Sequence, residues 1–468
     1  MINIEQQYQQ IKISHFDEKG DIAFSNIPVQ HKDLFEWAYS KTSKADSHFK
    51  SWDNKPVVKT NAKYLSKFRV NEILINQHQN IKDRIYAYND PKKFFIDIEV
   101  KNDGEWPKPT VARHEITAIS FAHKDLLAVV GTKPLSPDQI KTIEGMINEY
   151  LATKNYEPIR FSYVYYKSEY DMLYTFFNKW IQKMPLMTGW NFVQFDWQYL
   201  INRCRKLAID PTVASPSNKL VGRDELPLHR VVVDYLEIYK KWDRIIFKEN
   251  NTLDYVATQA TGLEKIKFNG TLSDLYESDF MKYVYYNAID SLLVKLIHDN
   301  IETMETFLNL GKVTKCELSK VFSPIALTET VMAEEFYKRG KVFPVSGKAK
   351  PSRGHYEGAY VFTPKKGIYE WVASFDFASL YPTIMRQWNM SPESFIKKEK
   401  KKRNEYEDAY TYSSSGGIFD NKEDSVFRVM LSKYYGKRKE AKNKKEDVEH
   451  EIDELKKMKN KLEKSPVS

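Results

Sequence analysis

The stretch Phe94-Phe95-Ile96-Asp97-Ile98-Glu99-Val100 is apolar except for two acids set into it. It follows the turn signal Asn89-Asp90-Pro91 and reads as a buried strand. Side chains alternate faces along a strand, so Asp97 and Glu99 point the same way. Two carboxylates about 6–7 Å apart on a buried strand repel each other and are costly unless a cation neutralises them. Mg2+ or Mn2+ suits such hard oxygen ligands. A salt bridge to a nearby lysine is the plainer explanation of the pair taken alone.

From residue 93 to about 300, strand-like and helix-like runs alternate. Glu115 to Phe121, Leu126 to Val130 and Arg230 to Val233 look like strands, and Phe280 to His298 like a helix. That alternation predicts an α/β domain with a mixed sheet. Residues 301–350 look helical, then loop-like from Pro344 to Gly354. A strand pattern starts at Glu357-Gly358-Ala359-Tyr360-Val361 and recurs at Glu370 to Phe377. From Arg428 to Lys464 the chain is dense in charge, with 13 basic and 8 acidic residues between Arg428 and Ser468. Val448, Ile452, Leu455, Met458 and Leu462 make one stripe of an amphipathic helix there.

Composition bounds the rest. The 468 residues suggest about three domains. With 42% hydrophobic and 14% aromatic residues, core material is ample,. Lys and Arg outnumber Asp and Glu by 72 to 63, a net charge of +9 that allows a nucleic-acid partner without demanding one,. The two cysteines, Cys204 and Cys316, could form one bridge at most, so a reducing compartment is the default,. The first residues do not read as a signal peptide, and no run of about 18 apolar residues exists. Disulfide-built secreted miniproteins and helical membrane proteins are excluded.

Two further segments bear on Asp97 and Glu99. In Thr188-Gly189-Trp190-Asn191-Phe192-Val193-Gln194-Phe195-Asp196, Asn191 and Asp196 fall where an apolar stretch turns into a predicted helix, Trp197 to Arg205. An Asx turn or a helix cap explains them in isolation. In Tyr285-Tyr286-Asn287-Ala288-Ile289-Asp290, Tyr286 and Asp290 are four apart on one helix face,. A surface Tyr–Asp pair explains those.

The ordered set D-x-E, N-x-x-x-F-D, Y-x-x-x-D, spread over about 195 residues, resembles the three motifs of DEDDy-type 3′–5′ proofreading exonucleases, which have an RNase H-like fold. The resemblance implies two Mg2+ or Mn2+ ions. Asp97 would bridge them, Glu99 and Asp290 would complete the first site, and Asp196 would support the second. Tyr286 would hydrogen-bond the attacking water. Asn191 and Phe195 would contact the single-stranded 3′ end.

A second constellation lies 86 residues after Asp290. In Phe375-Asp376-Phe377-Ala378-Ser379-Leu380-Tyr381-Pro382, a strand-like run ends at Asp376 and turns into a helix. Exposed N–H groups at such a turn favour anions, and Asp376 could hold a metal riding on a polyphosphate. A capping Asp in a tight turn is the alternative. The string Asp-x-x-Ser-Leu-Tyr-Pro looks like motif A of B-family DNA polymerases. By resemblance Asp376 ligates catalytic metal, the backbone from Phe377 through Ser379 to Leu380 meets the incoming dNTP, and Tyr381 packs under its sugar. Arg438 and Lys442 resemble the R-x-x-x-K cations of a fingers helix that meet the triphosphate. Tyr356-Glu357-Gly358-Ala359 is similar to the loop between the two active sites, giving Tyr356 and Gly358 as DNA contacts. Val321-Phe322-Ser323-Pro324-Ile325 and the run Arg386 to Glu393 look closest to the enzymes of T-even-type tailed phages.

The implied architecture is α/β and α+β, multidomain. Residues 1–92 are an N-terminal domain, 93–305 the exonuclease domain, 306–350 a helical return, 351–427 a partial palm with motif A, and 428–468 a truncated first fingers helix. The family's D-T-D hairpin and its K-x-x-x-N-S-x-Y-G motif do not follow Asp376. The expectation is therefore one part of a split viral replicative polymerase, completed by a second polypeptide carrying the rest of fingers, palm and thumb. A truncated or frameshifted gene is equally compatible. A free-standing exonuclease and a catalytically dead nucleic-acid-binding fragment are the competing readings. Primer-template DNA is the implied partner, no membrane is implied, and the compartment is the cytoplasm of an infected bacterial host.

Overall fold

The computed structural model describes the chain apart from residues 41–44, 47, 102–103, 243–249, 346–359, 400–404, 407–408 and 464–468. Two compact units emerge. One comprises residues 1–31 and 76–330, the other 32–75 and 331–468. The 1–92 segment is thus divided between them, while the 93–305 segment lies whole within the first.

In the first unit a six-stranded sheet is built on the strand Lys93–Val100. Spatial order across the sheet is Arg160–Tyr165, Leu126–Gly131, Ile116–His123, Lys93–Val100, Leu186–Thr188, Val231–Val232. The three middle strands, Leu126–Gly131 to Lys93–Val100, run antiparallel to their neighbours among themselves, and each outer pairing is parallel. The sheet is mixed, as the alternation of runs predicts. Asp97 pairs with Ser120 and Glu99 with Ala118, and the register slips after Glu99.

The period-2 alternation of the Lys93–Val100 strand sorts its side chains between two cores. Phe94, Ile96, Ile98 and Val100 pack with Phe176, Trp197, Leu200 and Ile201 on one face. Phe95 packs on the other with Ala118, Val129, Ile143, Val284, Ala288 and Leu292. Asp97 and Glu99 share the Phe95 face and so look towards the helix Phe280–Ile301. That 22-residue helix is buried nearly all round, as a helix covering a sheet must be when others cover it in turn. On the far face a buried ion pair ties three elements together. Glu169 accepts the Ile116 amide at 2.7 Å and meets Arg203 at 2.6 Å.

The second unit holds a strand pair, Phe35–Tyr39 with Val57–Asn61, whose Phe35, Trp37 and Val57 pack with Val342. It also holds an antiparallel sheet of Phe395–Lys398, Gly417–Asp420, Tyr410–Tyr412 and Glu405–Tyr406. Two helices follow from the sequence as expected, Leu380–Gln387 and the 38-residue Val426–Glu463. The strand expected at Glu370 to Phe377 does not form. The segment is irregular and open to solvent, with Trp371 98% and Phe375 93% exposed. An apolar run becomes a strand only against a pairing edge, and none of the described strands lies beside this one. The companion strand expected at Glu357 to Val361 lies partly outside the described residues, and Tyr360 and Val361 are irregular and exposed.

Gly189 ends the short strand Leu186–Thr188 against the backbone of the Asp97 strand. A Cβ there would collide with the Ile96 carbonyl oxygen and crowd the Phe192 side chain. Backbone cannot swing aside as a side chain can. Gly189→Ala is therefore expected to cost about 1–3 kcal/mol of unfolding free energy, read by urea denaturation.

Candidate active site

Asp97 and Glu99 come to the site on the sheet, and Asp290 comes on the Phe280–Ile301 helix packed over it. One oxygen from each lies within 4.8 Å of the others. Among the described residues this is the only group of three or more potential metal ligands so placed. Asp196 joins from a third element. The chain turns at Asn191, with φ near +60°, and runs through a wide helical turn, Val193–Trp197, into the helix Gln198–Lys206. Asp196 is buried there, and its Oδ1 accepts the Ile98 amide at 3.1 Å. That bond fastens it to the backbone between Asp97 and Glu99. All four acids of the ordered motif set therefore converge.

Residues that the sequence did not single out complete the arrangement. Asn287, one turn before Asp290, donates from Nδ2 to Asp97 Oδ2 at 2.8 Å. Its backbone carbonyl accepts the Ser120 hydroxyl at 2.8 Å, locking helix to sheet. Asp234 accepts the Asn191 and Val193 amides at 3.1 and 3.2 Å and the Leu236 amide at 2.9 Å, which fixes the turn leading to Asp196. Lys265 brings its ammonium to 2.7 Å from Asp290 Oδ2 and 5.2 Å from the Tyr286 ring centroid. The lysines adjacent in sequence to the strand are engaged elsewhere: Lys93 with Asp90 and Glu305, Lys101 with Glu277. The local salt bridge that would explain Asp97 and Glu99 plainly is therefore not made. The lysine that does approach comes from 168 residues downstream of Asp97.

Electrostatics follow from the crowding. Burial, and then the Asp290 charge, push the Asp97 carboxyl up to about 8. Burial and the neighbouring Asp97 raise both Glu99 and Asp196 well above the ordinary carboxylate range. Burial raises Asp290 as well, against the pull of Lys265 and a hydrogen bond from Tyr286. For Lys265 burial opposes the charge, but Asp290 outweighs it and the ammonium is held above its usual value. Burial and the Asp290 charge raise the Tyr286 phenol, so it stays protonated and able to donate at neutral pH.

The donor set suits a hard divalent cation. Every potential ligand is a carboxylate oxygen, and Asp290 Oδ1 is buried with no hydrogen-bond partner. An orphaned anionic oxygen in a nest of acids is a position that a metal ion would satisfy.

Phe195 precedes Asp196 in the chain, its ring 6.2 Å from exposed Trp106 and 6.1 Å from Tyr199. Asn191, four residues earlier, is exposed, and its carbonyl accepts the Phe195 amide at 3.1 Å. The second constellation is looser. Asp376, Phe377, Leu380 and Tyr381 are all exposed, and no other carboxylate pair gathers around Asp376 among the described residues. Ser379 precedes the helix Leu380–Gln387 with φ near +53°. Arg438 does reach this turn, donating to Ser379 Oγ at 2.9 Å. Lys442 instead pairs with Glu446, four residues on, at 3.3 Å. Tyr356 and Gly358 lie outside the described residues.

A family model described as "DNA polymerase family B, exonuclease domain" matches residues 56–241, and one described as "DNA polymerase family B" matches residues 323–462. The chain belongs to DNA polymerase family B. Tyr286, Asp290 and Lys265 fall between the matched segments. Among curated relatives, the DNA-directed DNA polymerase of Enterobacteria phage T4 is 30% identical over 385 residues, covering 74% of this chain and 42% of the relative. That of Escherichia phage RB69 is 29% identical over 382 residues, covering 74% and 41%. DNA polymerase 2 of Aeropyrum pernix is 27% identical over 280 residues, covering 55% and 32%. The chain thus spans about two fifths of the length of its phage relatives.

An acid whose pKa is raised by folding costs stability as the pH climbs from its unfolded value through its folded one. For Asp97 that window runs from 3.8 to about 8. In chelator, the melting temperature should therefore fall across the upper part of this window. Added Mg2+ should restore it most strongly near the top, where Asp97 gives up its proton. Asp97→Asn combined with Glu99→Gln should flatten both dependences in calorimetric scans.

Proposed function

We propose that the first unit is a 3′–5′ exodeoxyribonuclease that hydrolyses the terminal phosphodiester of single-stranded DNA. The observation that carries this reading is the meeting of Asp97, Glu99 and Asp290 within 4.8 Å, with Asp196 hydrogen-bonded between the first two. Asp97, Glu99, Asp196 and Asp290 would hold two Mg2+ or Mn2+ ions. Bound there, such ions supply positive charge to the scissile phosphate and acidify a water molecule. The chain's own groups do the rest. Tyr286, protonated at neutral pH, donates a hydrogen bond to the incoming water. Asn287 and the Ile98 amide hold Asp97 and Asp196 in place. Phe195 and Trp106 offer ring faces on which terminal bases can stack whatever their identity, and Asn191 adds a polar contact to the strand.

For the second unit we propose the front of a family B palm and its first fingers helix, residues 351–427 and 428–468. Asp376 is the metal-ligating acid of motif A. Ser379, with Phe377 and Leu380, presents backbone to a dNTP, and Tyr381 lies under its sugar. The 2.9 Å bond from Arg438 to Ser379 supports this reading, since it brings a triphosphate-binding cation to the motif A turn. Lys442 joins Arg438 on the same helix face once its bond to Glu446 exchanges for phosphate. Nucleotide addition needs a second aspartate, which no D-T-D motif supplies in these 468 residues. Synthesis on primer-template DNA therefore calls for further sequence, in the same chain or in a second polypeptide. The phage relatives make the cytoplasm of an infected bacterial cell the compartment in which we place this activity.

Asp97→Ala with Glu99→Ala should reduce Mg2+- or Mn2+-dependent shortening of a 5′-labelled oligonucleotide by several orders of magnitude, while anisotropy still registers DNA binding. Undiminished shortening would exclude the nuclease reading. Residues 1–468 alone should not extend a primer, and extension by them would exclude the proposed need for another aspartate.

A further inference from the structure

Four carboxylates share the site with one ammonium. The Lys265 charge pulls on Asp97, Glu99 and Asp290 alike, and its ammonium lies 2.7 Å from Asp290 Oδ2. An ammonium has three donors on a flexible four-carbon stem and cannot satisfy four carboxylates. The orphaned Asp290 Oδ1 shows the shortfall.

The way Lys265 arrives separates a fixed backbone from a movable head. Gly262 closes the helix Leu253–Thr261 in the left-handed conformation, with φ near +73°. The Lys265 amide is then held by Asp254 Oδ1 at 2.7 Å, and the adjacent Glu264 carbonyl accepts the Tyr150 hydroxyl at 2.7 Å. Beyond that anchor the side chain lies over the Tyr286 ring and remains 28% exposed. Asp290 is 5% exposed and cannot follow it outward. A lysine so held can leave its carboxylate without disturbing the loop that carries it.

We propose that Lys265 is the site's exchangeable internal counter-ion: it neutralises Asp290 in the absence of metal and withdraws from Asp290 Oδ2 when a divalent cation binds. This rests on the metal-binding reading of the site. It makes metal loading a competition with a tethered ammonium, and it lets the acids stay packed together before any metal arrives. A lysine that merely braced the carboxylates in their binding geometry would have the opposite effect on affinity.

That opposition gives the test. Mn2+ binding to the full chain is measured by calorimetry at mildly alkaline pH, without DNA, for the wild-type protein, Lys265→Met and Lys265→Arg. Lys265→Met is expected to melt lower in chelator and to bind Mn2+ tighter by roughly tenfold, because a unit charge a few ångströms away repels a divalent ion even at high effective dielectric. Lys265→Arg, which keeps the charge, should not show the gain. Unchanged or weaker Mn2+ binding by Lys265→Met would overturn the proposal and leave the nuclease reading intact. No Mn2+ binding by the wild-type protein would sink the nuclease reading, and this proposal with it. Should the methionine variant not fold, acylation of the wild-type Lys265 amine, followed by mass spectrometry, reads the same exchange. Saturating Mg2+ should speed modification at this residue, and an unchanged or slower rate would overturn the proposal.

Discussion

Mutual repulsion among Asp97, Glu99, Asp196 and Asp290 is the constraint around which the first unit is built. Left to itself such a cluster would scatter its members into water. Here strand register fixes Asp97 and Glu99 on one face, a buried helix presses Asp290 onto them, and a backbone amide holds Asp196 between. The apolar packing of Phe95, Ala118, Ala288 and Leu292 on that face offsets the electrostatic cost. The outcome is raised proton affinity at every carboxylate, which is the state of a site that gains most from a cation.

Much of the surrounding polar structure serves orientation. Asn287 reaches Asp97 with its side chain and Ser120 with its backbone, so one residue couples helix to strand at the acids. Asp234 gathers three amides to shape the turn before Asp196. On the opposite face Glu169 and Arg203 join the start of the Ile116–His123 strand to two helices. Each is a buried polar group with partners on distant segments, so a fault in one would be felt at the clustered acids.

The second unit shows how a motif can be legible while its setting is not. Asp376, Ser379 and Tyr381 stand in the right order, and the helix after them begins at Leu380. Yet the apolar run before Asp376 lies open, since a strand borrows its stability from a neighbour. The bond from Arg438 to Ser379 joins the turn before the Leu380 helix to the long helix. The long helix keeps Val448, Ile452, Leu455 and Met458 exposed, a seam that none of the described residues fills.

Local periodicity was enough to place Asp97 and Glu99 on one face of a buried strand, and Tyr286 and Asp290 on one face of a helix. Both follow from backbone geometry that repeats every two residues or every 3.6. The order of the acids along the chain was enough to single out the residues that the fold brings together. Lys265, Asn287 and Asp234 were not legible. In Glu264-Lys265-Ile266-Lys267 nothing distinguishes the two lysines, yet Lys267 turns to Glu264 at 2.9 Å while Lys265 meets Asp290 at 2.7 Å. That choice depends on which side of one loop faces a helix beginning 15 residues later. Pattern along a chain fixes which way a side chain points from its own element, whereas the counter-charge it meets is set by elements far away in sequence, and only their packing decided it.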